Sequence, residues 1–268
     1  MKKTQFVGFP VAVLACLVLA ACGGGGDQPA TGTTSGSNSG STGGSNGGAS
    51  GGGTTPQGSN LECDPVYQAS DIVNVHLYTQ ATLQSPVVDG GVFARTYASA
   101  TFQGTSLTQQ VETGTGSTLP THDYYLVGNG TRMHYGSEAY QPASAGGGLA
   151  LRDVYTPPFA ETIGLATSET VSYVDAPTLP SNGLQSAVSK QRTYIGRETV
   201  NLKNGKSFSN VCHYQTTQTA SSSVQKVVTT ADEWLAPGVG MIKTVASIGG
   251  VTIVTRELET ATVAGKSY

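Results

Sequence analysis

The sequence predicts an all-β, mainly antiparallel domain, and three observations carry that expectation. Residues 61–268 hold 28 threonines and 12 tyrosines, residue types that pack well on a pleated surface. Apolar and polar residues alternate in short stretches, which is the period of a strand with one buried face. Asn-Gly and Gly-Gly steps punctuate those stretches where tight hairpins require positive φ. Together they predict a meander of about ten strands arranged as a curved sheet, barrel or sandwich, with at most one or two short helices.

Residues 1–21 form no part of that domain. Lys2 and Lys3, an apolar run from Phe6 to Leu19, and the small Ala20 and Ala21 are the three parts of a secretory signal. The run is shorter than the roughly 20 residues of a spanning helix and contains Pro10. Leu19-Ala20-Ala21-Cys22 resembles the lipobox of bacterial lipoproteins, which implies cleavage before Cys22 and acylation of that residue. Several acyl chains, at roughly 0.8 kcal/mol per buried CH₂, anchor a protein stably. In such lipoproteins an aspartate after the cysteine favours inner-membrane retention; Gly23 follows here, so the outer membrane is expected. An ordinary signal with an incidental cysteine is the alternative.

Residues 22–60 read as the lipidated cysteine and a disordered tether. From Gly23 to Asn60 there are 15 glycines in 38 residues, and Asp27 is the only charge. Such a segment cannot bury enough apolar area to offset its ordering entropy, and as a coil it spans about 35 Å. Gly43-Gly44-Ser45-Asn46-Gly47 fits a nucleophile-elbow pattern, but that pattern has meaning only between a strand and a helix.

Residues 61–268 read as one β-rich envelope domain. Asp71 to Gln80 alternates, with Val73, Val75 and Leu77 on one face. Val92 to Gln103 and Ser106 to Thr113 follow as strands. Asp123 to Gly128 and Thr131 to Tyr135 flank the type I′ signal Asn129-Gly130. Asn204-Gly205 joins Thr193–Leu202 to Ser207–Thr217, and Gly249-Gly250 joins Gly240–Ile248 to Val251–Ala261. Between the first two hairpins Gly146 to Gly148, Pro157-Pro158, Pro177 and Pro180 mark loops, and Asn182 to Lys190 is the one stretch expected to allow a short helix.

Near the carboxyl end, Gly196-Arg197-Glu198-Thr199-Val200, Asn204-Gly205-Lys206-Ser207-Phe208 with Cys212, the run from Trp234 to Lys243, and Glu257-Leu258 resemble the DUF3108 or TapB-like group of bacterial envelope proteins. The match covers about Tyr194 to Thr260. That group is similar in fold to the LolA and LolB lipoprotein carriers. The resemblance implies a curved half-barrel with an apolar concave face, a small helical lid, and a role in holding an acyl chain or other apolar molecule. Within it, Trp234 is the candidate ligand contact, although a core aromatic beside the Pro237-Gly238 turn explains the same residue.

Charge and chemistry narrow the function further. Charged residues are only 12% of the chain. Removing Lys2 and Lys3 leaves 14 − 2 = 12 basic residues against 17 acidic ones, a balance near −5 that lacks the basic excess of a nucleic-acid binder. With Cys16 in the signal and Cys22 acylated, Cys63 and Cys212 remain in an oxidising compartment and invite a disulfide, worth roughly 5 kcal/mol for so long a loop. A buried free thiol at Cys212 and an intermolecular link are the other readings. His76, His122, His134 and His213 are too scattered for a metal motif. His122-Asp123 with one of many serines makes an unconstrained triad, and no catalytic residue, metal or cofactor is expected. The leading expectation is a non-enzymatic outer-membrane lipoprotein that binds or shields a lipid or other apolar molecule. The alternative is a protein- or peptidoglycan-interaction module displayed on the tether.

Overall fold

The structure is a computed structural model that describes residues 60–80, 85–114, 120–141, 146–179 and 184–268. Signal, Cys22 and the tether before Asn60 lie outside the described residues. The chain enters through a 3₁₀ turn, Asn60–Cys63, and then runs up and down through β1 (Ile72–Thr79), β2 (Val88–Phe102), β3 (Thr105–Gly114), β4 (Thr121–Gly128), β5 (Thr131–Tyr140) and β6 (Leu149–Thr162). It continues through β7 (Ser168–Leu179), β8 (Ser186–Asn201), β9 (Ser207–Ser221), β10 (Lys226–Ala236), β11 (Gly240–Ile248), β12 (Val251–Val263) and β13 (Lys266–Ser267).

Each strand pairs antiparallel with the next, and β1 also pairs with β12, from Ile72 opposite Thr262 to Thr79 opposite Val254. Twelve strands therefore close into a barrel, and β13 folds back on the end of β12. Closure satisfies the backbone groups that an open sheet leaves at its edges. The all-β antiparallel meander is what the residue pattern predicts, with more strands than about ten. The 3₁₀ turn is the only helical element among the described residues.

All three glycine-marked hairpins form, two as the expected two-residue turns; at Asn204-Gly205 only Gly205 takes positive φ (86°), and the turn is wider, with Gly205 N–H donating to Leu202 O and Leu202 N–H to Lys206 O. Asn129 and Gly130 take φ of 54° and 73°, and Gly249 and Gly250 take 58° and 80°. Other local signals yield to pairing. Of Asn182 to Lys190, expected to allow a helix, Asn182 and Gly183 lie outside the described residues, and Ser186 to Lys190 starts β8, because Val188 and Lys190 alternate inward and pair against β7 and β9. Pro157-Pro158 and Pro177 lie inside β6 and β7 rather than in loops. The ladder there skips from Gly136–Val154 to His134–Phe159, and a further irregularity sits between Arg152 and Asp153, so the missing N–H donors fall at bulges.

The inward face changes character along the barrel. At the end carrying the amino-terminal strap, Tyr67, Val73, Val75, Phe93, Val211, Tyr214, Ile242 and Leu258 make an apolar core. Further in, the buried residues include Arg95, Glu112, Arg132, Glu161, Lys190, Arg192, Glu233 and Arg256. Smaller apolar groups, Tyr155, Phe159, Tyr173 with Val188, and Ala231, Ala246 with Ile253, fill the wall between these charges and the opposite rim.

Candidate functional site

The strap, residues 60–71, packs against the β6–β7 and β10–β11 turns. Asn60, at the end of the tether as read from sequence, is buried and donates from Nδ2 to Leu165 O (2.8 Å). Gly238 N–H donates to Glu62 O (2.7 Å), and Tyr67 OH to Val239 O (2.8 Å). Cys63 and Cys212 are joined by a disulfide with a Cα–Cα distance of 6.1 Å, and both are wholly buried. Gly164, at φ +63°, is required by the close approach: a Cβ there would sit 2.6 Å from Leu61 N.

Asp64 turns from the strap into the lumen. Its Oδ1 accepts from Arg132 Nη2 at 2.9 Å, its Oδ2 accepts from Gly164 N–H at 3.3 Å, and Arg192 Nη1 lies 3.8 Å from that Oδ2. Beyond it the pairing continues. Glu161 receives Lys190 and stands 3.5 Å from His134 Nε2; Arg192 Nε is 3.7 Å from Glu233. Arg192 also stacks on Tyr214, 4.1 Å from the ring centroid. Across the lumen Glu112 accepts from Arg95 Nε (2.7 Å) and Arg256 Nη2 (3.4 Å).

These contacts set the protonation states. Burial pushes the Glu161 carboxyl up, but Lys190, His134 and Arg192 outweigh it and hold it well below the usual range. Burial likewise opposes Glu112, where Arg256 and Arg95 prevail and lower it. Farther from the strap, Asp123, Asp153 and Asp175 face inward around Ser137. Burial and the charge of Glu112 raise Asp123 to about 7. Burial raises Asp153 to about 6, and burial with Asp153 nearby raises Asp175 to about 7.

Trp234 does not reach the lumen. It pairs with His213 on the outer wall, stacks on that imidazole with centroids 4.7 Å apart, and donates from Nε1 to Glu198 Oε1 (2.5 Å). His213 is also 2.9 Å from Asp232. The same ladder row continues through Lys243 and Glu257 to His76, held between Asp89 (2.7 Å) and Glu259 (2.8 Å). A second outer row is almost free of charge: Thr170, Gln191, Thr217, Thr230, Ser247 and Thr252 stand opposite one another from β7 to β12.

Cys22 lies outside the described residues. The inward face is a correction to the family resemblance, which implies an apolar concave surface: its middle is charged. Reading the sequence for apolar alternation missed these residues. A signal existed in the opposite sense, since Val188, Lys190, Arg192 and Tyr194 alternate with Ser189, Gln191 and Thr193. Among the described residues no group of His, Cys, Asp and Glu is placed to hold a metal ion.

No family model matches the chain, and no curated protein matches it. The resemblance to the DUF3108 group therefore gains no support from that comparison. Two solved structures align with it. One, from Bacteroides fragilis, is described as an exported protein with a YmcC-like fold: 9% identity, TM-score 0.39, covering 73% of this chain and 96% of that one. The other, from Parabacteroides distasonis, is described as a lipoprotein: 12% identity, TM-score 0.34, covering 73% and 96%. At this level of likeness nothing is carried from those proteins to this chain.

Proposed function

We propose that this chain is a lipid-anchored, non-enzymatic protein of the bacterial outer membrane, and that it presents the outside of its barrel to an envelope partner. The observation that carries this reading is the charged lumen. An apolar guest needs an apolar chamber, whereas the buried ion pairs of Glu112, Glu161 and Arg192 face into the middle of this one. Placing an acyl chain against those charges would desolvate them without compensation.

The outer wall supports an aqueous setting. A lipid-facing band requires outward apolar residues, and this wall carries Gln191, Gln215, Asp232 and Lys243. The membrane contact is therefore assigned to Cys22 and the working surface to the Thr, Ser and Gln rows. Their uncharged donors and acceptors suit a hydrogen-bonding partner, a protein or a glycan strand of peptidoglycan.

The test combines native mass spectrometry with crosslinking in cells. The chain released by Cys22→Ala is expected to show an apo mass, and a photocrosslinker at Thr217 or Thr230 is expected to capture one stoichiometric envelope component. A stoichiometric lipid on the released protein, with no capture from the wall, overturns this reading in favour of an apolar-ligand carrier.

A further inference from the structure

The strap is attached twice at adjacent residues, covalently through Cys63 and electrostatically through Asp64. The two attachments differ in what they need. The disulfide joins residues 149 apart in the chain, so its thiols must first be brought together. The Asp64 site is already built on the barrel wall: Arg132 from β5, Arg192 from β8 and the Gly164 N–H from the β6–β7 turn converge on one carboxylate. Both arginines are buried, at 2% and 5% exposure, and among the described residues Arg192 Nη1 has no hydrogen-bond partner. Without Asp64, Arg132 loses its direct carboxylate partner and Arg192 keeps only Glu233 at 3.7 Å, so the cradle favours a carboxylate.

We propose that the barrel mouth is a carboxylate-binding site whose ligand is the strap's own Asp64, and that seating Asp64 positions Cys63 against Cys212 before the disulfide forms. Asp64 is thus a positioning residue for oxidation. The chemistry is thiol–disulfide exchange with a small-molecule disulfide as oxidant. The thiolate of one cysteine attacks the oxidant, forming a mixed disulfide and releasing one thiolate of the reagent. The second cysteine's thiolate attacks the protein sulfur of that mixed disulfide, forming Cys63–Cys212 and releasing the other. Two protein thiols lose two protons and two electrons, and the oxidant takes them up as two thiols. Docking raises the effective concentration of one cysteine at the other, which accelerates the second step and suppresses links between chains.

The experiment uses the full chain carrying Cys16→Ala and Cys22→Ala, so that Cys63 and Cys212 are the only thiols. The reduced protein is mixed with oxidised glutathione, and the intramolecular bond is followed by mass as the loss of two hydrogens. Asp64→Asn is expected to slow closure about tenfold, equivalent to about 1.4 kcal/mol, and to raise the share of crosslinked dimers; Asp64→Glu is expected to restore most of the rate. Sodium acetate is expected to slow the unsubstituted protein relative to sodium chloride at equal ionic strength, because free carboxylate competes for the cradle. If Asp64→Asn folds, by circular dichroism, and closes at the unsubstituted rate, the proposal fails. If that variant does not fold, the acetate comparison decides alone, and equal rates in the two salts overturn the proposal.

Discussion

The inward wall of β4 to β7 treats the same chemical group in two opposite ways. Toward the strap, Glu161 faces Lys190 and His134, and the strap's Asp64 faces Arg132. Toward the other rim, Asp123, Asp153 and Asp175 share Ser137, Gln110 and Tyr155 as neighbours and have no direct ion pair among the described contacts. Burial pushes Glu161 and the three aspartates in the same direction, and at Glu161 the charges of Lys190, His134 and Arg192 reverse it. The strap-side carboxylate of Glu161 stays ionised far below its usual range, and the distal carboxyls hold their protons to about neutrality. The inward carboxyls of β4 to β7 are therefore two populations with opposite pH behaviour.

The comparison breaks most sharply at Lys190. Lys190→Met removes the direct cation from Glu161 and leaves it the buried His134 and the more distant charge of Arg192, and a loss of about 3 to 5 kcal/mol is expected in urea unfolding. The double variant Lys190→Met, Glu161→Gln should recover most of that loss. A double variant no more stable than the single one would show that the pair is not a unit.

Next in size is the covalent attachment. Cys63→Ser is expected to cost about 2 to 5 kcal/mol, read from the same curves. The loss should appear on adding a strong reductant to the unsubstituted unfolded protein before refolding, and Cys212→Ser should match it. Different losses from the two serine variants would mean that one thiol matters beyond the bond.

The pH dependence separates the two populations. For Glu161 and Glu112, whose native pKa values are depressed below 4.5, stability is present above that value and lost as pH falls through the native pKa. For Asp123, with an unfolded value near 3.8 and a native value of about 7, the folded state holds the extra proton, so stability is greatest below 3.8 and falls as pH rises to about 7. The coupled Asp153 and Asp175 act in the same direction. His134, lowered by burial, and His122 oppose this slope. A net decline of a few kcal/mol is expected between about pH 5 and 7, and Asp123→Asn should flatten it by an amount on the order of 2 to 4 kcal/mol. A slope unchanged in Asp123→Asn would remove Asp123 from the protonated population.

The smallest effect belongs to the outer wall. Trp234→Phe keeps the ring on His213 and removes the Nε1 bond to Glu198, a change of about 1 kcal/mol. It should leave the Asp123 slope untouched, because the residue lies outside the lumen.

The sequence by itself determined most of the elements. Thr- and Val-rich alternation, Asn129-Gly130, Asn204-Gly205 and Gly249-Gly250 specify strands and hairpins, since both depend on residues a few positions apart. The expectation of acylation at Cys22 rests on residues equally close together, Leu19 to Cys22. What only the tertiary structure decided depends on residues far apart in the chain. Closure joins β1 to β12, where Val73 meets Ala261; the strand assignment of Ser186 to Lys190 follows from pairing on both sides; and a resemblance that implied an apolar concave face could not register that Lys190 points at Glu161. A lysine in a strand has the same local pattern whether its nitrogen meets water or a buried carboxylate. The difference is made by the desolvation of both charges, and that exists only once the barrel has closed around them.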